Sequence, residues 1–119
     1  MRKLIKTIPR ASYRELLLLL LHRRKRLKVV GESMLPLLQP GDEILIDPYA
    51  YNKSLPQIDD IVVTVHPWQN LTIVKRIAAL DARDRYFLLG DNPRQSTDSR
   101  HWGTVVATDI IGKVTSQFY

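Results

Sequence analysis

The sequence predicts a mainly β fold, either a sandwich or a coiled and partly closed β-sheet, behind a short basic N-terminal helix. At 119 residues the chain has room for one hydrophobic core. From residue 29 onward, short apolar runs alternate with turn residues at intervals of about ten to twenty positions, which is typical of consecutive β-strands. The composition, 45% apolar and 25% charged, is that of a globular domain.

Five segments carry the strand pattern: residues 43–46, 61–65, 71–80, 86–89 and 110–114. The turn signals Pro40-Gly41-Asp42 and Asp59-Asp60 precede the first two of them. Residues 48–57 contain two prolines and two tyrosines and predict the longest loop. Such a run of short strands with Pro and Gly turns favours a sheet that curls on itself.

Residues 1–28 form a basic arm with a net charge of +9, whereas residues 29–119 carry a net charge of −3. The arm contains a run of six leucines, Leu16 to Leu21, which is too short to cross a bilayer and lacks a signal-peptide cleavage site. We interpret residues 13–28 as a helix and place a domain boundary after residue 28. The arm suits peripheral contact with an anionic membrane or an acidic partner. Alternatively, its leucines cap the core.

The first segment that could take part in catalysis is Gly31-Glu32-Ser33-Met34-Leu35-Pro36. A serine in such a turn exposes its hydroxyl, but it needs a base to become a nucleophile. The second segment, residues 71–77, holds Lys75 between two isoleucines on one face of a strand, with Val74 and Arg76 on the other. Burial there would disfavour the ammonium form of Lys75 and make it a general base. The alternative is a lysine at a strand edge whose charged end reaches water.

The third segment runs from Gly90 to Arg100 and is dense in residues that bond to their own backbone, so a structural turn is the simplest interpretation. Within it, Asp98 and Arg100 are spaced to pair, and Ser96 is placed to reach a neighbouring group.

Several classes of site are excluded or disfavoured. The absence of cysteine removes disulfides, thiol nucleophiles and cysteine-based metal sites. The three histidines show no ligand spacing, so we predict no metal, and no glycine-rich phosphate loop indicates a cofactor. No nucleic-acid-binding motif accompanies the basic arm, so we predict no nucleic-acid partner.

Taken together, the three segments resemble a known family. The ordered motifs Ser33-Met34-x-Pro36, Lys75-Arg76, Gly90-Asp91-Asn92 and Ser96-x-Asp98-Ser99-Arg100 are similar to the boxes of bacterial type I signal peptidases, which are Ser/Lys serine proteases. More narrowly, Gly90-Asp91-Asn92-Pro93, Val65-His66-Pro67 and the small size resemble the nickel-type superoxide dismutase maturation proteases of that family.

The resemblance implies a role for each matched residue. Ser33 is the expected nucleophile, and its backbone N–H an oxyanion donor; Lys75 is the expected general base. Ser96 is expected to hydrogen-bond the lysine, and Asp98 and Arg100 to form a supporting ion pair. Met34 is expected to keep the surroundings of the lysine dry.

Two departures from the family pattern qualify these roles. Gly31 stands where some signal peptidases carry a second oxyanion serine, so a second donor must come from elsewhere. Asp59 stands where a glycine is common, and we expect aspartate to tolerate the left-handed turn.

The resemblance implies a serine endopeptidase that removes an N-terminal leader from a partner precursor, in the narrower branch nickel superoxide dismutase. That cut frees the amino group and histidine that ligate nickel, so the metal belongs to the substrate. Because no membrane anchor precedes Ser33, we expect a cytoplasmic enzyme, with peripheral membrane contact through the arm as an alternative. A general signal peptidase for exported preproteins, a self-cleaving repressor-type protease and a non-catalytic binding module are the rival interpretations; the short arm and the absence of a cleavage dipeptide disfavour the repressor type.

Overall fold

A seven-stranded antiparallel sheet, curled into a half-barrel, organises the computed structural model, which describes residues 7–118. The strands are β1 (Lys25–Lys28), β2 (Glu43–Asp47), β3 (Ile61–Val65), β4 (Thr72–Leu80), β5 (Arg85–Leu89), β6 (Val105–Val106) and β7 (Ile110–Gln117). Their order across the sheet is β1-β2-β7-β3-β4-β5-β6. Helix α1 (Tyr13–Leu20) precedes the sheet and the one-turn helix α2 (Ser99–Trp102) follows β5. The predicted mainly β class is confirmed.

The sheet separates two apolar clusters because successive side chains of a strand point to opposite faces. In β3, Ile61 and Val63 belong to a cluster with Met34 and Leu38, whereas Val62 belongs to a second cluster around Tyr86 and Trp102. Strand β3 is therefore buried on both faces, which explains its unbroken apolar run Ile-Val-Val.

The five predicted strands are present, with ends that move by at most three residues, but two strands were not predicted. β1 pairs with β2 over its whole length, and β6 pairs with β5 through two residues. The predicted helix over residues 13–28 is too long: it ends at Leu20, and the chain turns at His22, which has a φ of 62°, before entering β1. The last four residues of the basic arm are thus part of the sheet. The division at residue 28 stays a prediction.

The turn before β3 has the left-handed backbone that we expected at Asp59. Asp59 has a φ of 76°, a conformation that glycine adopts most easily and aspartate tolerates better than most residues. Its backbone N–H donates to the carbonyl of Ile77 at 2.8 Å, which ties the turn to β4.

Helix α1 is fixed to the sheet by its one acidic residue. The Ser12 hydroxyl caps the helix by accepting from the backbone N–H of Glu15. The buried Glu15 carboxylate accepts hydrogen bonds from Arg24 and from the hydroxyls of Thr115 and Ser116 on β7. Burial alone would raise the pKa of Glu15, but the bonds from Thr115 and Arg24 outweigh it and lower that pKa. None of the helices between residues 7 and 118 is long and apolar enough to cross a bilayer.

We predict that Glu15→Ala lowers the free energy of unfolding by about 1.5–3 kcal/mol, the range for a hydrogen bond to a charged group. Because the folded-state pKa of Glu15 is lowered, its stabilisation is present above the unfolded pKa of roughly 4.3 and is lost as pH falls below it. Urea unfolding at pH 7 and pH 3 measures both effects, with Glu32→Ala, an exposed glutamate, as control. A difference from wild type that persists undiminished at pH 3 would contradict this role.

Candidate active site

Strand β4 carries Lys75 into the protein interior. Ile73 and Ile77, which flank Lys75 on the same face, pack in the second apolar cluster, whereas Val74 packs with the first, as strand alternation predicted. The Lys75 side chain is buried, with 3% of the residue exposed. Burial lowers the pKa of its amine; the nearby Asp98 charge opposes this shift and Arg100 adds to it.

A short chain of hydrogen bonds leads from Lys75 to a buried carboxylate. Lys75 Nζ donates to Ser96 Oγ at 3.1 Å, and Ser96 Oγ donates to Asp98 Oδ2 at 2.6 Å. Arg100 Nε donates to Asp98 Oδ1 at 2.9 Å, and the Gly90 backbone N–H donates to Asp98 Oδ2 at 3.0 Å. Asp98 also caps α2 by accepting from the backbone N–H of Arg100.

The carboxylate of Asp98 is therefore surrounded by donors although no part of it is exposed. Burial alone would raise its pKa, but the hydrogen bonds from Arg100, Ser96 and the Gly90 amide outweigh burial and hold the pKa well below its usual range. Asp98 is therefore a carboxylate at neutral pH.

Ser33 lies in the turn between β1 and β2, where it is partly exposed. The segment that contains Asn92 forms hydrogen bonds with this turn. The Asn92 backbone N–H donates to the carbonyl of Ser33 at 2.8 Å, and Asn92 Nδ2 donates to the carbonyl of Glu32 at 3.1 Å. Two consecutive carbonyls of the serine turn are thus fixed by one asparagine.

Gly90 is the closest point of contact between the serine turn and the lysine chain. A Cβ atom at Gly90 would lie 2.2 Å from Ser96 Oγ and 2.6 Å from the carbonyl oxygen of Ser33, distances that real Cβ atoms do not reach. Only glycine lets these two groups approach the same point of the backbone. The structure thus brings Ser33, Lys75, Ser96, Asp98 and Arg100 to one place, although residues 7–118 contain no direct hydrogen bond between Ser33 and Lys75.

A cavity of about 430 Å³ opens beside Ser33. It is lined on one side by β1 and the residues after it, including Leu27, Val29 and Val30, and on the other by residues 71–74 at the start of β4. Within residues 7–118, both walls have an unpaired strand edge: β1 pairs with β2 alone, and β5 joins β4 only from Arg76 onward.

Three residues that shape the site have no role predicted from the sequence. Asn92 and Gly90 hold the serine turn, and Arg76 forms a two-point ion pair with Asp91 at 2.9 and 2.8 Å on the face opposite Lys75. The alternation of side chains along β4 could have indicated the ion pair of Arg76. It places Arg76 on the face of the first apolar cluster, where a buried cation needs a carboxylate partner. Met34 lies in that cluster, 1% exposed, and lines the cavity.

Comparison with known proteins identifies the family. The family model described as "Signal peptidase, peptidase S26" matches residues 15–83 and 81–119. The chain belongs to the signal peptidase family, peptidase S26. It is therefore a serine endopeptidase of the signal peptidase I type.

Named relatives agree with this family. A "Probable signal peptidase I-1" from Synechocystis sp. is 26% identical over 136 aligned residues, covering 76% of this chain and 69% of the relative. A "Signal peptidase I" from Leptolyngbya laminosa is 24% identical, covering 76% of this chain and 66% of the relative. A "Signal peptidase I" from Buchnera aphidicola is 53% identical over 32 residues, which cover 27% of this chain. The chain spans about two thirds of the length of the two cyanobacterial signal peptidases.

We predict that Gly90→Ala lowers kcat/KM for peptide cleavage at least about a hundredfold, because the added methyl group must push apart the serine turn and Ser96, and displacements of about 1 Å cost that much. The control is Gly41→Ala, a glycine with a φ of 92° and open space around an added Cβ, which introduces backbone strain away from the site without a steric clash. Equal activity of Gly90→Ala and Gly41→Ala in steady-state assays would show that this contact is unimportant.

Proposed function

We propose that this signal peptidase family member is a Ser/Lys endopeptidase in which Ser33 is the nucleophile and Lys75 the general base. The observation that carries the proposal is the buried Lys75 amine, held by Ser96 beside the serine turn and depressed in pKa by its burial. A lysine can take a proton from a serine hydroxyl at moderate pH only if it is largely unprotonated, and desolvation is the effect that makes it so.

The direction of the hydrogen bonds supports this assignment. Ser96 has one hydroxyl proton, and it is donated to Asp98, whose lowered pKa keeps it a carboxylate at neutral pH. Ser96 can therefore only accept from Lys75, so the lone pair of a neutral Lys75 amine must point elsewhere. Ser96 and Asp98 thus act as positioning residues that leave this lone pair free for the proton of Ser33. Arg100 balances the charge of Asp98.

The reaction follows from these positions. Ser33 Oγ attacks the scissile carbonyl carbon while Lys75 takes the hydroxyl proton; the resulting ammonium then protonates the leaving amine as the C–N bond breaks. Water hydrolyses the acyl-enzyme by the reverse transfer through Lys75. The Ser33 backbone N–H donates to no other group within residues 7–118, which suits it to bind the oxyanion. Gly31 supplies no second side-chain donor.

The cavity beside Ser33 supports binding of a leader in extended form. A peptide strand placed between β1 and residues 72–75 of β4 would pair with both unpaired edges, in the manner of β-strand addition. The lining side chains Leu27, Val29, Val30, Ile73 and Val74 favour apolar leader residues just before the cut.

For the substrate, we propose the precursor of a nickel superoxide dismutase, met in the cytoplasm. The support is the resemblance of Gly90-Asp91-Asn92-Pro93 and Val65-His66-Pro67 to motifs of proteases that mature this dismutase. Nickel is then the cargo of the product and takes no part in the cut. The second candidate is a general signal peptidase for exported preproteins, favoured by the names of the relatives.

We predict that Ser33→Ala, Lys75→Ala and Lys75→Arg each lower kcat/KM for a leader peptide by about 10⁴-fold or more, since losing the base costs nearly as much as losing the nucleophile. Lys75→Arg fails because a guanidinium stays protonated. Ser54→Ala and Lys53→Ala, in the exposed loop after β2, are the matched controls. Either dyad variant retaining wild-type activity while the controls behave normally would refute the assignment.

We predict that kcat/KM rises with pH through the lowered pKa of Lys75 and levels off below the roughly 10.4 of a free lysine. The Asp98 charge raises the pKa of Lys75, so Asp98→Asn should move the midpoint of this rise to lower pH. Rates measured from pH 5 to 10.5 on both enzymes test the sign. A wild-type rate that still climbs at pH 10 would mean that the lysine is solvated.

We predict that the purified enzyme cuts a nickel superoxide dismutase precursor once, leaving histidine at the new N-terminus, with a higher kcat/KM than for a secretory preprotein. Mass spectrometry of the products identifies the bond, and the Ser33→Ala enzyme is the control for contaminating proteases. Preferential cleavage of the secretory preprotein would overturn the dismutase assignment in favour of the general signal peptidase while leaving the dyad chemistry intact.

A further inference from the structure

Helix α1 has its apolar side turned away from the protein. Glu15 faces the sheet and is buried, whereas Tyr13, Leu16, Leu17, Leu20 and Leu21 are 92%, 39%, 54%, 74% and 58% exposed. These five positions have the spacing i, i+3, i+4, i+7 and i+8, so they form one continuous stripe along the helix. A surface helix normally does the reverse and packs its leucines on the core. The alternative in which the leucines cap the core is therefore wrong for most of the run.

Hydrogen bonds between helix α1 and the sheet fix the leucines in their outward orientation. The Glu15 carboxylate accepts hydrogen bonds from Arg24, Thr115 and Ser116, and Ser12 caps the first turn. Rolling the helix to bury its leucines would expose Glu15 and break these bonds with β7 and Arg24. The fold thus holds the leucines in water, and a contiguous apolar stripe held in water marks an interaction surface.

The charges around the stripe select its partner. Arg14 lies on the helix between Tyr13 and Glu15, and Lys25 follows Leu21 by four residues along the chain. Both are exposed, and neither pairs with a carboxylate in the described part of the chain. The single acid of the arm, Glu15, is already occupied by Arg24. A second copy of the chain would bring these unpaired cations against each other, whereas a sheet of lipid phosphates would neutralise them.

We propose that this leucine face, Tyr13 with Leu16, Leu17, Leu20 and Leu21, docks on the surface of an anionic lipid bilayer. The helix is eight residues long, about 12 Å at 1.5 Å per residue, so it lies in the plane of the interface and does not cross. The leucines enter the boundary between headgroups and acyl chains, and Arg14 and Lys25 meet the phosphates. The contact is independent of the peptidase chemistry.

Co-sedimentation of the full 119-residue protein with vesicles tests this surface. We expect binding to phosphatidylcholine vesicles containing 30% phosphatidylglycerol in 0.1 M salt, and little binding to pure phosphatidylcholine. The double variant Leu17→Ser/Leu20→Ser should lose binding at least tenfold. Its matched control, Leu55→Ser/Leu80→Ser, changes two exposed leucines elsewhere and should bind as wild type does. Circular dichroism confirms that each variant is folded.

A second pair of variants tests the role of charge. Arg14→Gln/Lys25→Gln should weaken binding to the anionic vesicles several-fold, whereas Lys53→Gln/Arg83→Gln, which removes two exposed cations elsewhere, should not. The proposal is overturned if wild type fails to bind the anionic vesicles, or if the Leu17→Ser/Leu20→Ser protein binds as well as wild type. It is also overturned if sedimentation velocity without lipid shows a dimer that this variant abolishes, since the leucine face would then join two copies.

Discussion

The burial of Lys75 is the constraint on which the rest of this structure depends. Strand β4 places its amine on the same face as two isoleucines of an apolar cluster, where an ammonium ion is poorly solvated. A neutral hydroxyl and a more distant ion pair offset this cost: Ser96 accepts a hydrogen bond from Lys75, and beyond Ser96 the charges of Asp98 and Arg100 neutralise each other. A carboxylate bonded directly to Lys75 would stabilise the ammonium form and remove the base.

The fold supplies what this constraint requires. β5 leaves β4 at Arg76, so one edge of β4 is free beside Lys75, and the chain that leaves β5 returns as the segment holding Gly90, Asn92 and Ser96. The same segment therefore forms hydrogen bonds with the serine turn through Asn92 and with Lys75 through Ser96. Because Gly90 lies between the two, the separation of the serine turn and the Ser96–Lys75 pair is set by backbone contact, which is stiffer than contact between side chains.

The sequence predicted the apolar strands well and the polar ones poorly, for a physical reason. β2, β3, β4, β5 and β7 carry apolar runs because they are buried on at least one face. β1 reads Lys-Arg-Leu-Lys and forms only because β2 offers it a partner along a sheet edge, and β6 has two residues. The same limit applies to the site. Lys75 stood out through its apolar neighbours. Ser33, Ser96 and Asp98 lie in segments that a structural turn explains equally well, so their roles came from the resemblance. The fit of Gly90 against Ser33 joins residues far apart in the chain. Likewise, no periodicity says that Glu15 faces inward and the leucines outward.

In the proposed mechanism, Lys75 is a neutral base at the pH at which the enzyme works, and its titration measures this directly. In a protein with ¹⁵N-labelled lysine, the Nζ resonance that disappears in Lys75→Arg belongs to Lys75, and its chemical shift can be followed against pH in the Ser33→Ala protein, in the absence of turnover. We expect a Lys75 midpoint clearly below those of the exposed lysines, and lower still in Asp98→Asn, since burial lowers the pKa of Lys75 and the Asp98 charge raises it. A Lys75 midpoint equal to or above those of the exposed lysines would contradict this mechanism.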